Sequence, residues 1–435
     1  MAKKVLIMGA GGKDFHTFNC LFRDKPEYQV VGFTATQIPG IDKRRFPPEI
    51  AGSLYPEGLP ILPEKELANI IEKESVDIVV FAYSDVSYDY IQKHRTTVEA
   101  LGVEFMTPIP RSTMIPSQKP VIAVCAIRTG AGKSAVSRSV VKILAEKGKR
   151  VIVIRHPMPY GDLYKQEVQR FENIEDLAKH ECTIEEMEEY EPHIRNGGVV
   201  YAGVDYGKIL VEAEKEADVI LWDGGNNDTS FYKPDLYITI LDPLRAGHEL
   251  LYYPGRENFE LADVLLINKV DQASESDIKT IEKNIAEHNP SATVIKGNLE
   301  VSVDRASEIT GKRVLVVEDG PTLTHGGMKY GAGVVAAKRN GAKELINPRS
   351  FVKGEVKRTF DQYPGIGNLL PAVGYSAEQI KDLEDAINDS DAELVIIATP
   401  IDLGRVIKIS KPFVTVKYDY VDIGTPSLSS VLDSI

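Results

Sequence analysis

Residues 121–134 read Val-Ile-Ala-Val-Cys-Ala-Ile-Arg-Thr-Gly-Ala-Gly-Lys-Ser, and this stretch decides the fold. An apolar strand runs into a glycine-rich turn that ends in Gly-Lys-Ser and opens a helix, an arrangement typical of phosphate-binding loops. Glycines let backbone N–H groups point at phosphate oxygens, the lysine neutralises charge near the outer phosphates, and the serine can ligate Mg²⁺. We therefore predict a nucleotide-binding loop made of Thr129, Gly130, Ala131, Gly132, Lys133, Ser134 and Ala135.

The loop departs from the usual pattern at one position. G-x-x-x-x-G-K-[ST] has its first glycine where this chain has Ile127, so the following residues must shape the turn differently. An accidental Gly-Lys-Ser in an ordinary turn is the alternative, but the strand before it and the helix after it argue against that reading. The positive N-terminal end of the helix adds to the attraction for phosphate.

Composition and charge limit the function classes. The chain has 435 residues, 43% of them hydrophobic, and a net charge of −13 from 64 acidic and 51 basic residues. These values predict a globular protein with no broad attraction to nucleic acid or to an anionic membrane. The three cysteines, which lack metal-ligand spacing, argue against a zinc site and a disulfide framework: Cys20, Cys125 and Cys182. With no apolar stretch long enough to span a bilayer, we expect a cytoplasmic protein, and size alone makes a homodimer the general expectation.

Apolar strands alternate with helices along the whole chain, which predicts the α/β class. Residues 1–118 read as a smaller Rossmann-like α/β domain, and a proline-spaced connection at 108–120 leads out of it. Residues 119–320 read as a P-loop NTPase core with a mostly parallel sheet. Residues 321–435 either extend that sheet or form a third lobe, and the sequence leaves both open.

Individual elements are predicted from the same patterns. Helices are expected at 15–23 and 135–147, and an acidic helical stretch is expected at 173–190. Strands are expected at 4–8, 29–34, 77–83, 121–126, 150–154, 218–222, 236–241, 264–267, 293–296, 313–317, 393–398 and 413–416.

Asn268-Lys269-Val270-Asp271 follows directly after the predicted strand 264–267. In P-loop GTPases an N-K-x-D loop in this place holds guanine, because the aspartate accepts hydrogen bonds that adenine cannot donate. Its order after the phosphate loop favours base contact by Asn268, Lys269 and Asp271 over a simple polar turn. Nothing after Ile295 matches the S-A-K loop that usually accompanies this motif, so both ATP and GTP remain open.

Asp223 ends an apolar strand and precedes Gly224-Gly225. P-loop proteins use an acidic residue in this place to position Mg²⁺ or its water shell. We therefore predict Ser134 and Asp223 as metal ligands; an ordinary turn rich in Asp, Asn and Gly is the alternative.

Three more strand ends carry side chains suited to catalysis or binding. Arg155, His156 and Asp162 offer a phosphate clamp, a proton carrier near neutral pH and a carboxylate. Segments 242–249 and 318–327 have a similar inventory, and for each of these a solvated or capping loop is an equal competitor. The predicted catalytic residues are Lys133, Arg128, Arg155, His156, Asp162, Asp223 and Arg245.

Gly9-Ala10-Gly11-Gly12-Lys13-Asp14 matches a dinucleotide fingerprint only in part. A full G-x-G-x-x-G needs glycine at Asp14, and no acidic residue ends the second strand to hold a ribose, so a redox cofactor is disfavoured. A small anionic carboxylate or phosphate substrate in the crevice between the lobes fits better. Its predicted binding residues are Gly11, Gly12, Asp14, His16, Gln37, Asp242, His248, Glu249 and His325.

Four segments of the central region, 128–134, 155–162, 222–228 and 242–249, together resemble the family of cyclic 2,3-diphosphoglycerate synthetase and its GTPase-like relatives. The resemblance implies ATP-dependent phosphorylation of 2,3-diphosphoglycerate followed by intramolecular formation of a phosphoanhydride. It supports nucleotide-driven chemistry more firmly than it supports that substrate.

The leading hypothesis is a Mg²⁺-dependent P-loop enzyme that uses ATP or GTP to phosphorylate or activate a small anionic acid. Lys133 would stabilise the transferring phosphoryl group, the three arginines would neutralise developing charge, and His156 or Asp162 would accept a proton. The alternative is a regulatory or metallochaperone-type GTPase that controls a partner protein. An NAD-binding oxidoreductase is a third and weaker option.

Overall fold

The computed structural model describes residues 2–36, 44–156, 161–225, 227–324, 326–372 and 377–435. Gln37 and His325, both predicted to bind substrate, lie outside these ranges. None of the helices within them combines the length and the hydrophobicity that crossing a bilayer requires.

The N-terminal part forms a small, mostly parallel sheet of six strands within the described ranges, in the order β3-β4-β2-β1-β5-β7. Its strands, and β6, which pairs outside this sheet, are β1 (Lys3–Met8), β2 (Tyr28–Ala35), β3 (Arg45–Phe46), β4 (Leu59–Pro63), β5 (Ile78–Phe81), β6 (Val86–Ser87) and β7 (Glu104–Met106). Its helices are α1 (Lys13–Leu21), α2 (Pro48–Ala51), α3 (Leu67–Glu74) and α4 (Tyr88–Glu99). Parallel strands joined by helices give the expected Rossmann-like arrangement.

The rest of the described chain forms a large sheet in the order β10-β11-β9-β12-β8-β13-β15-β16-β21-β20-β17-β18, with β19 beside β17. The strands, and β14, which pairs with β6, are β8 (Val121–Ala126), β9 (Val151–Arg155), β10 (Gln169–Phe171), β11 (Val199–Ala202), β12 (Val219–Asp223), β13 (Leu236–Leu241), β14 (Tyr252–Tyr253), β15 (Val264–Ile267), β16 (Thr293–Val303), β17 (Arg313–Asp319), β18 (Glu344–Leu345), β19 (Leu370–Ala372), β20 (Leu394–Ala398) and β21 (Phe413–Ile423).

Helices connect these strands and cover both faces of the sheet. They are α5 (Lys133–Glu146), α6 (Ile174–Lys179), α7 (Ile184–Arg195), α8 (Tyr206–Glu214), α9 (His248–Leu251), α10 (Gly255–Leu261), α11 (Glu275–His288), α12 (Gly320–Thr324), α13 (Ala332–Arg339), α14 (Gly354–Gln362), α15 (Ala377–Asp389), α16 (Leu403–Val406) and α17 (Leu428–Val431). The predicted α/β class, with a P-loop domain after a Rossmann-like domain, is confirmed.

The strand before the phosphate loop shows why a continuous apolar run was needed. All six residues of β8 are buried between the neighbouring strands β12 and β13. Successive side chains of a strand point to opposite faces, so Val124 packs into the core beneath α5 while Cys125 packs into the core beneath α10. A parallel strand covered on both faces therefore has no place for polar residues.

Residues 321–435 continue the large sheet through one long antiparallel pair. β16 and β21 pair from Lys296–Ile423 to Val303–Val416, and β20 and β17 follow in parallel. These strands have a hydrophobic core of their own around residues 314–317 and 394–397. The expected strands at 293–296 and 413–416 were too short, because the remaining halves of β16 and β21 alternate polar and apolar residues instead of continuing the apolar run.

The acidic helical stretch predicted at 173–190 consists of two helices, α6 and the first part of α7. Glu181 has a left-handed backbone with φ of 54°, which ends the first helix segment. Thr183 then caps α7, accepting from the Glu186 N–H at 3.2 Å while its own N–H donates to the Glu186 carboxylate at 2.8 Å. This second helix points its acidic face toward the phosphate loop.

Candidate active site

The phosphate loop is held in shape by the two residues that open the N-K-x-D motif. Gly132 has φ of 105°, and a Cβ there would lie 2.1 Å from Asn268 Nδ2, so only glycine fits. Asn268 Nδ2 donates to the carbonyl of Ala131 at 2.9 Å, and Lys269 Nζ donates to the carbonyl of Gly130 at 2.5 Å. Both side chains therefore brace the loop.

Asp242 fixes Lys269 in this bracing position. Its buried carboxylate accepts from Lys269 Nζ at 3.1 Å and from Arg245 Nη2 at 2.7 Å. Burial opposes ionisation, but these two cations hold the pKa of Asp242 below its usual value. Arg245 also donates to the carbonyl of Gly326 at 2.8 Å, so it ties the loop after β13 to the C-terminal part of the chain.

Lys133 is paired with Asp223, the carboxylate at the end of the neighbouring strand. Lys133 Nζ lies 2.5 Å from Asp223 Oδ1, and Arg155 Nη1 lies 2.5 Å from Oδ2. Burial works against ionisation of Asp223, yet the charges of Arg155 and Lys133 hold its pKa well below the usual value. Burial and the Arg155 charge lower the pKa of Lys133. The sequence placed these three residues on strand ends, and the structure brings them together.

Helix α7 adds two residues to this charge cluster that the sequence reading missed. Glu189 Oε2 lies 2.5 Å from Arg155 Nη2, and His193 Nε2 lies 3.1 Å from Asp223 Oδ2. The two positions are four apart and so share one face of the helix, a spacing that could have signalled them. Burial lowers the pKa of His193, so it contacts Asp223 as a neutral ring.

A cavity opens between the phosphate loop and the C-terminal part of the chain. One wall is formed by the loop and the start of α5, including Gly130, Lys133 and Ser134. The opposite wall is mainly apolar and consists of Leu299, Val301, Met328, Tyr330, Ala332 and Val335. The triphosphate of a nucleotide held by the loop would thus be covered by residues that lie about two hundred positions later in the chain.

Five acidic residues also line this cavity. They are Glu185, Glu188 and Glu189 from α7 and Glu318 and Asp319 from the end of β17. Glu318 accepts the Val334 N–H at 2.9 Å and so caps the start of α13, while Glu189 is held by Arg155. The cavity lining therefore combines two cations, Lys133 and Arg155, with several carboxylates.

Arg128 joins the phosphate loop to the N-terminal lobe. Its Nε donates to Asp85 Oδ1 at 2.6 Å, its guanidinium carbon lies 3.7 Å from the centre of the Tyr252 ring, and Nη1 contacts His248 Nδ1 at 3.0 Å. Arg128 also lines the cavity. Its catalytic role, and substrate binding by His248, stay predictions.

The glycine-rich loop of the N-terminal lobe has its amides satisfied internally. Asp14 accepts N–H groups from Gly11 at 2.8 Å, Gly12 at 2.9 Å and Phe15 at 2.7 Å. His16 stacks on Phe231 with ring centres 4.0 Å apart and contacts the Thr113 carbonyl through Nε2 at 2.7 Å. Burial lowers the pKa of His16 to about 4. This geometry favours a structural role for these residues at the lobe boundary, while their predicted part in substrate binding is untested.

His156 lies between the two lobes, against Gly12 and Gly225. It is 3% exposed, and neither ring nitrogen has a hydrogen-bond partner among the described residues. Nε2 lies 3.7 Å from Asp228 Oδ2, and Ser84 of the N-terminal lobe donates to the other oxygen of that carboxylate. Burial raises the pKa of Asp228 to about 7.

The burial of His156 predicts a defined acid sensitivity. Burial and the Arg155 charge lower the pKa of His156 to about 3. Below the ordinary histidine pKa of about 6.5 the ring therefore binds a proton in the unfolded chain but not in the folded one, and the free energy of unfolding falls. From pH 7 to pH 4.5, wild type should lose about 2 kcal/mol more unfolding free energy than His156→Gln. Urea titrations at both pH values measure this. The exposed control His288→Gln should follow wild type, and parallel curves for His156→Gln would contradict the burial argument.

Three further predicted residues, none of which lines the cavity, have contacts elsewhere. Asp162 is exposed and accepts the Tyr164 N–H at 3.0 Å, as a turn residue does. Glu249 is buried and accepts from the Gly247 N–H at 2.9 Å and the Asn284 amide at 2.6 Å. Asp271 is exposed, and its carboxylate lies 3.4 Å from Arg339 Nη2. No observation here ties Asp271 to a particular base.

Comparison with known proteins identifies the family. Over 431 residues the chain is 57% identical to a protein of Thermococcus kodakarensis, "Arginine synthetase ArcE", covering 99% of this chain and 96% of that protein. The chain belongs to the arginine synthetase ArcE family. Residues 207–296 also match the family model "CobW/HypB/UreG, nucleotide-binding domain". That stretch contains Asp223 and the loop at 268–271 and begins after the phosphate loop.

Two solved structures are more distant. LpxK from Aquifex aeolicus, in complex with ATP, covers 80% of this chain and 95% of its own, with a TM-score of 0.45 and 13% identity. Cobyrinic acid a,c-diamide synthase from Mycobacterium smegmatis, with a bound ATP analog and magnesium, covers 41% of this chain and 72% of its own, with a TM-score of 0.19 and 16% identity. With TM-scores below 0.5, neither structure informs the residue roles given above.

Membership of the ArcE family confirms part of the sequence interpretation. The protein is a nucleotide-dependent enzyme of the P-loop class, as predicted. The resemblance to cyclic 2,3-diphosphoglycerate synthetase is supported only at the level of a P-loop, GTPase-like domain, because the ArcE relative is named for arginine and not for diphosphoglycerate.

Proposed function

We propose that this chain is a ligase that transfers the γ-phosphoryl group of ATP or GTP to an oxygen of a small substrate and then replaces that oxygen with nitrogen. The observation that carries the proposal is a single cavity lined by both cations, Lys133 and Arg155, and carboxylates. The name of the ArcE relative supports a guanidino compound as the product class.

The chemistry follows from the difference between a ureido and a guanidino group, which is one oxygen in place of one nitrogen. The ureido oxygen attacks the γ-phosphorus, the bond to the bridging oxygen breaks, and the nucleoside diphosphate leaves. An amine nitrogen then attacks the ureido carbon, the carbon–oxygen bond breaks, and inorganic phosphate leaves with the former ureido oxygen. Phosphorylation is needed because it turns a poor leaving group into a good one.

The charged residues of the cavity have roles in the first step. Lys133 and Arg155 carry positive charge where negative charge develops on the transferring phosphoryl group. In the structure the Asp223 carboxylate contacts Lys133, Arg155 and His193. A bound triphosphate would draw Lys133 away and so release Asp223 Oδ1. Ser134 and Asp223 would then hold Mg²⁺, which supplies further charge neutralisation at the phosphates.

The cavity disfavours the alternative substrate. A diphosphoglycerate carries several negative charges, and it would be repelled by Glu188, Glu318 or Asp319 whenever one of these acids ionises, a step that burial already opposes by raising the pKa of each. A neutral ureido group joined to an amino acid meets no such repulsion. The choice between ATP and GTP rests on the assay below, because Asn268 and Lys269 are engaged with the loop.

An isotope experiment tests the proposal. Purified protein is incubated with Mg²⁺, ATP or GTP, ammonium chloride, and citrulline labelled with ¹⁸O in its ureido group. We expect arginine to form and the ¹⁸O to appear in inorganic phosphate. Recovery of the label in a nucleoside monophosphate would show a different activation step, and nucleotide hydrolysis without arginine would contradict the ligase proposal.

A further inference from the structure

Glu188, one of the carboxylates that line the cavity, has one side-chain oxygen without a hydrogen-bond donor in the described part of the chain. The side chain is 7% exposed, and Oε1 accepts the Thr399 hydroxyl at 2.7 Å. Oε2 is buried and has no hydrogen-bond donor among the described residues. The group that it meets is a second acid, Asp319, whose own carboxylate accepts the Thr322 hydroxyl at 2.7 Å.

This pair of acids is unfavourable without a positive partner. Burial and the Asp319 charge raise the pKa of Glu188 well above its usual value, and burial raises that of Asp319. A shared proton relieves the repulsion in the empty cavity. A cation with several N–H donors would relieve it better, because it neutralises both carboxylates and supplies the missing hydrogen bond.

Two other carboxylates of the cavity, Glu318 and Glu189, are already engaged. Glu318 is held by the start of α13 and Glu189 by Arg155. No group of three or more His, Cys, Asp or Glu side chains in the described ranges is arranged to hold a metal ion.

We infer that Glu188 and Asp319 form a binding site for a small nitrogen cation. The cation is either ammonium, as the source of the nitrogen nucleophile, or the guanidinium group of the product. Both present several N–H donors and one positive charge. The inference rests on the proposed function, since it places the nitrogen partner in the same cavity as the phosphoryl group held near Lys133.

The test uses Glu188→Gln, which keeps the size of the side chain and an oxygen for Thr399 but removes the negative charge. The full chain is assayed for arginine formation as ammonium chloride is varied, and arginine binding is measured by calorimetry. We expect a rise of about tenfold or more in the KM for ammonium, or in the Kd for arginine, with the Kd for nucleotide nearly unchanged. Glu146→Gln, at an exposed position of α5, is the matched control, and Asp319→Asn is the second variant.

The two measurements separate the sources of the cation. A change in the KM for ammonium alone assigns the site to the nucleophile, and a change in arginine binding alone assigns it to the guanidinium group. Turnover and arginine binding that both match wild type in the two variants would overturn the inference and leave the ligase proposal standing. If wild type makes no arginine, the ligase proposal fails, and calorimetric titration of wild type and Glu188→Gln with ammonium and guanidinium chloride still decides the inference.

Discussion

Replacing Lys133 by alanine should lower kcat/KM for nucleotide turnover by about a thousandfold or more, because the transition state loses the positive charge nearest to the transferring phosphoryl group. Lys133 is the first residue of α5, directly after the phosphate loop, and its Nζ lies 2.5 Å from Asp223 Oδ1. Release of nucleoside diphosphate at saturating nucleotide and Mg²⁺ measures the effect.

The control for this variant lies on the same helix. Lys142 is exposed on α5, so Lys142→Ala removes an equal charge without touching the cavity and should keep wild-type turnover. The helix itself should be unaffected, because alanine is the best helix former. Turnover in Lys133→Ala within a few-fold of the control would show that the nucleotide binds elsewhere and would remove the basis of the proposed function.

The strands around the site were predictable because they are buried on both faces. Strands β13 and β15 begin and end at the predicted residues, 236–241 and 264–267, since every one of their side chains is buried. The same reason made the loops that follow them recognisable, because polar residues stand out directly after an apolar run. The phosphate loop, Asp223 and Arg155 could all be placed at one sheet edge in this way.

The sequence could not show which part of the chain covers the loop. The opposite wall of the cavity depends on the antiparallel pairing of β16 with β21, whose second halves alternate polar and apolar residues and so lack the continuous apolar run of the buried strands. Pairing between residues more than a hundred positions apart is set by the tertiary fold, not by local periodicity. For the same reason Glu188 and Asp319, which meet in the cavity, gave no joint signal.

The roles of the N-K-x-D residues were also hidden. The motif indicated base contact, whereas in the structure Asn268 and Lys269 donate to carbonyls of the phosphate loop. A four-residue pattern fixes which polar groups are available, but the neighbouring backbone decides what they bind. Base contact by Asn268, Lys269 and Asp271 stays a prediction, which comparison of ATP with GTP in the turnover assay addresses.

Asp223→Asn should cause the largest loss of stability, about 3–5 kcal/mol in unfolding free energy, because it leaves buried cations without their main countercharge. The carboxylate is fully buried between Lys133 and Arg155, and after the change only Glu189 would remain to balance them. Urea unfolding followed by circular dichroism measures the loss. Asp162→Asn, at an exposed turn, is the matched control and should unfold with wild type.

A double variant distinguishes the charge imbalance from a simple loss of packing. Lys133→Met together with Asp223→Asn removes both ends of the ion pair, so it should recover part of the stability that Asp223→Asn loses alone.

The low pKa of Asp223 also fixes the pH dependence of the unfolding free energy. The stabilising contribution of Asp223 is present above the ordinary aspartate pKa and is lost as the pH falls through the pKa of the folded state. The gap between wild type and Asp223→Asn should therefore narrow in strong acid. Equal unfolding midpoints for Asp223→Asn and Asp162→Asn at neutral pH would show that the Asp223 carboxylate does not stabilise Lys133 and Arg155. The proposed arrangement of charge around the transferring phosphoryl group would then be wrong about its central carboxylate.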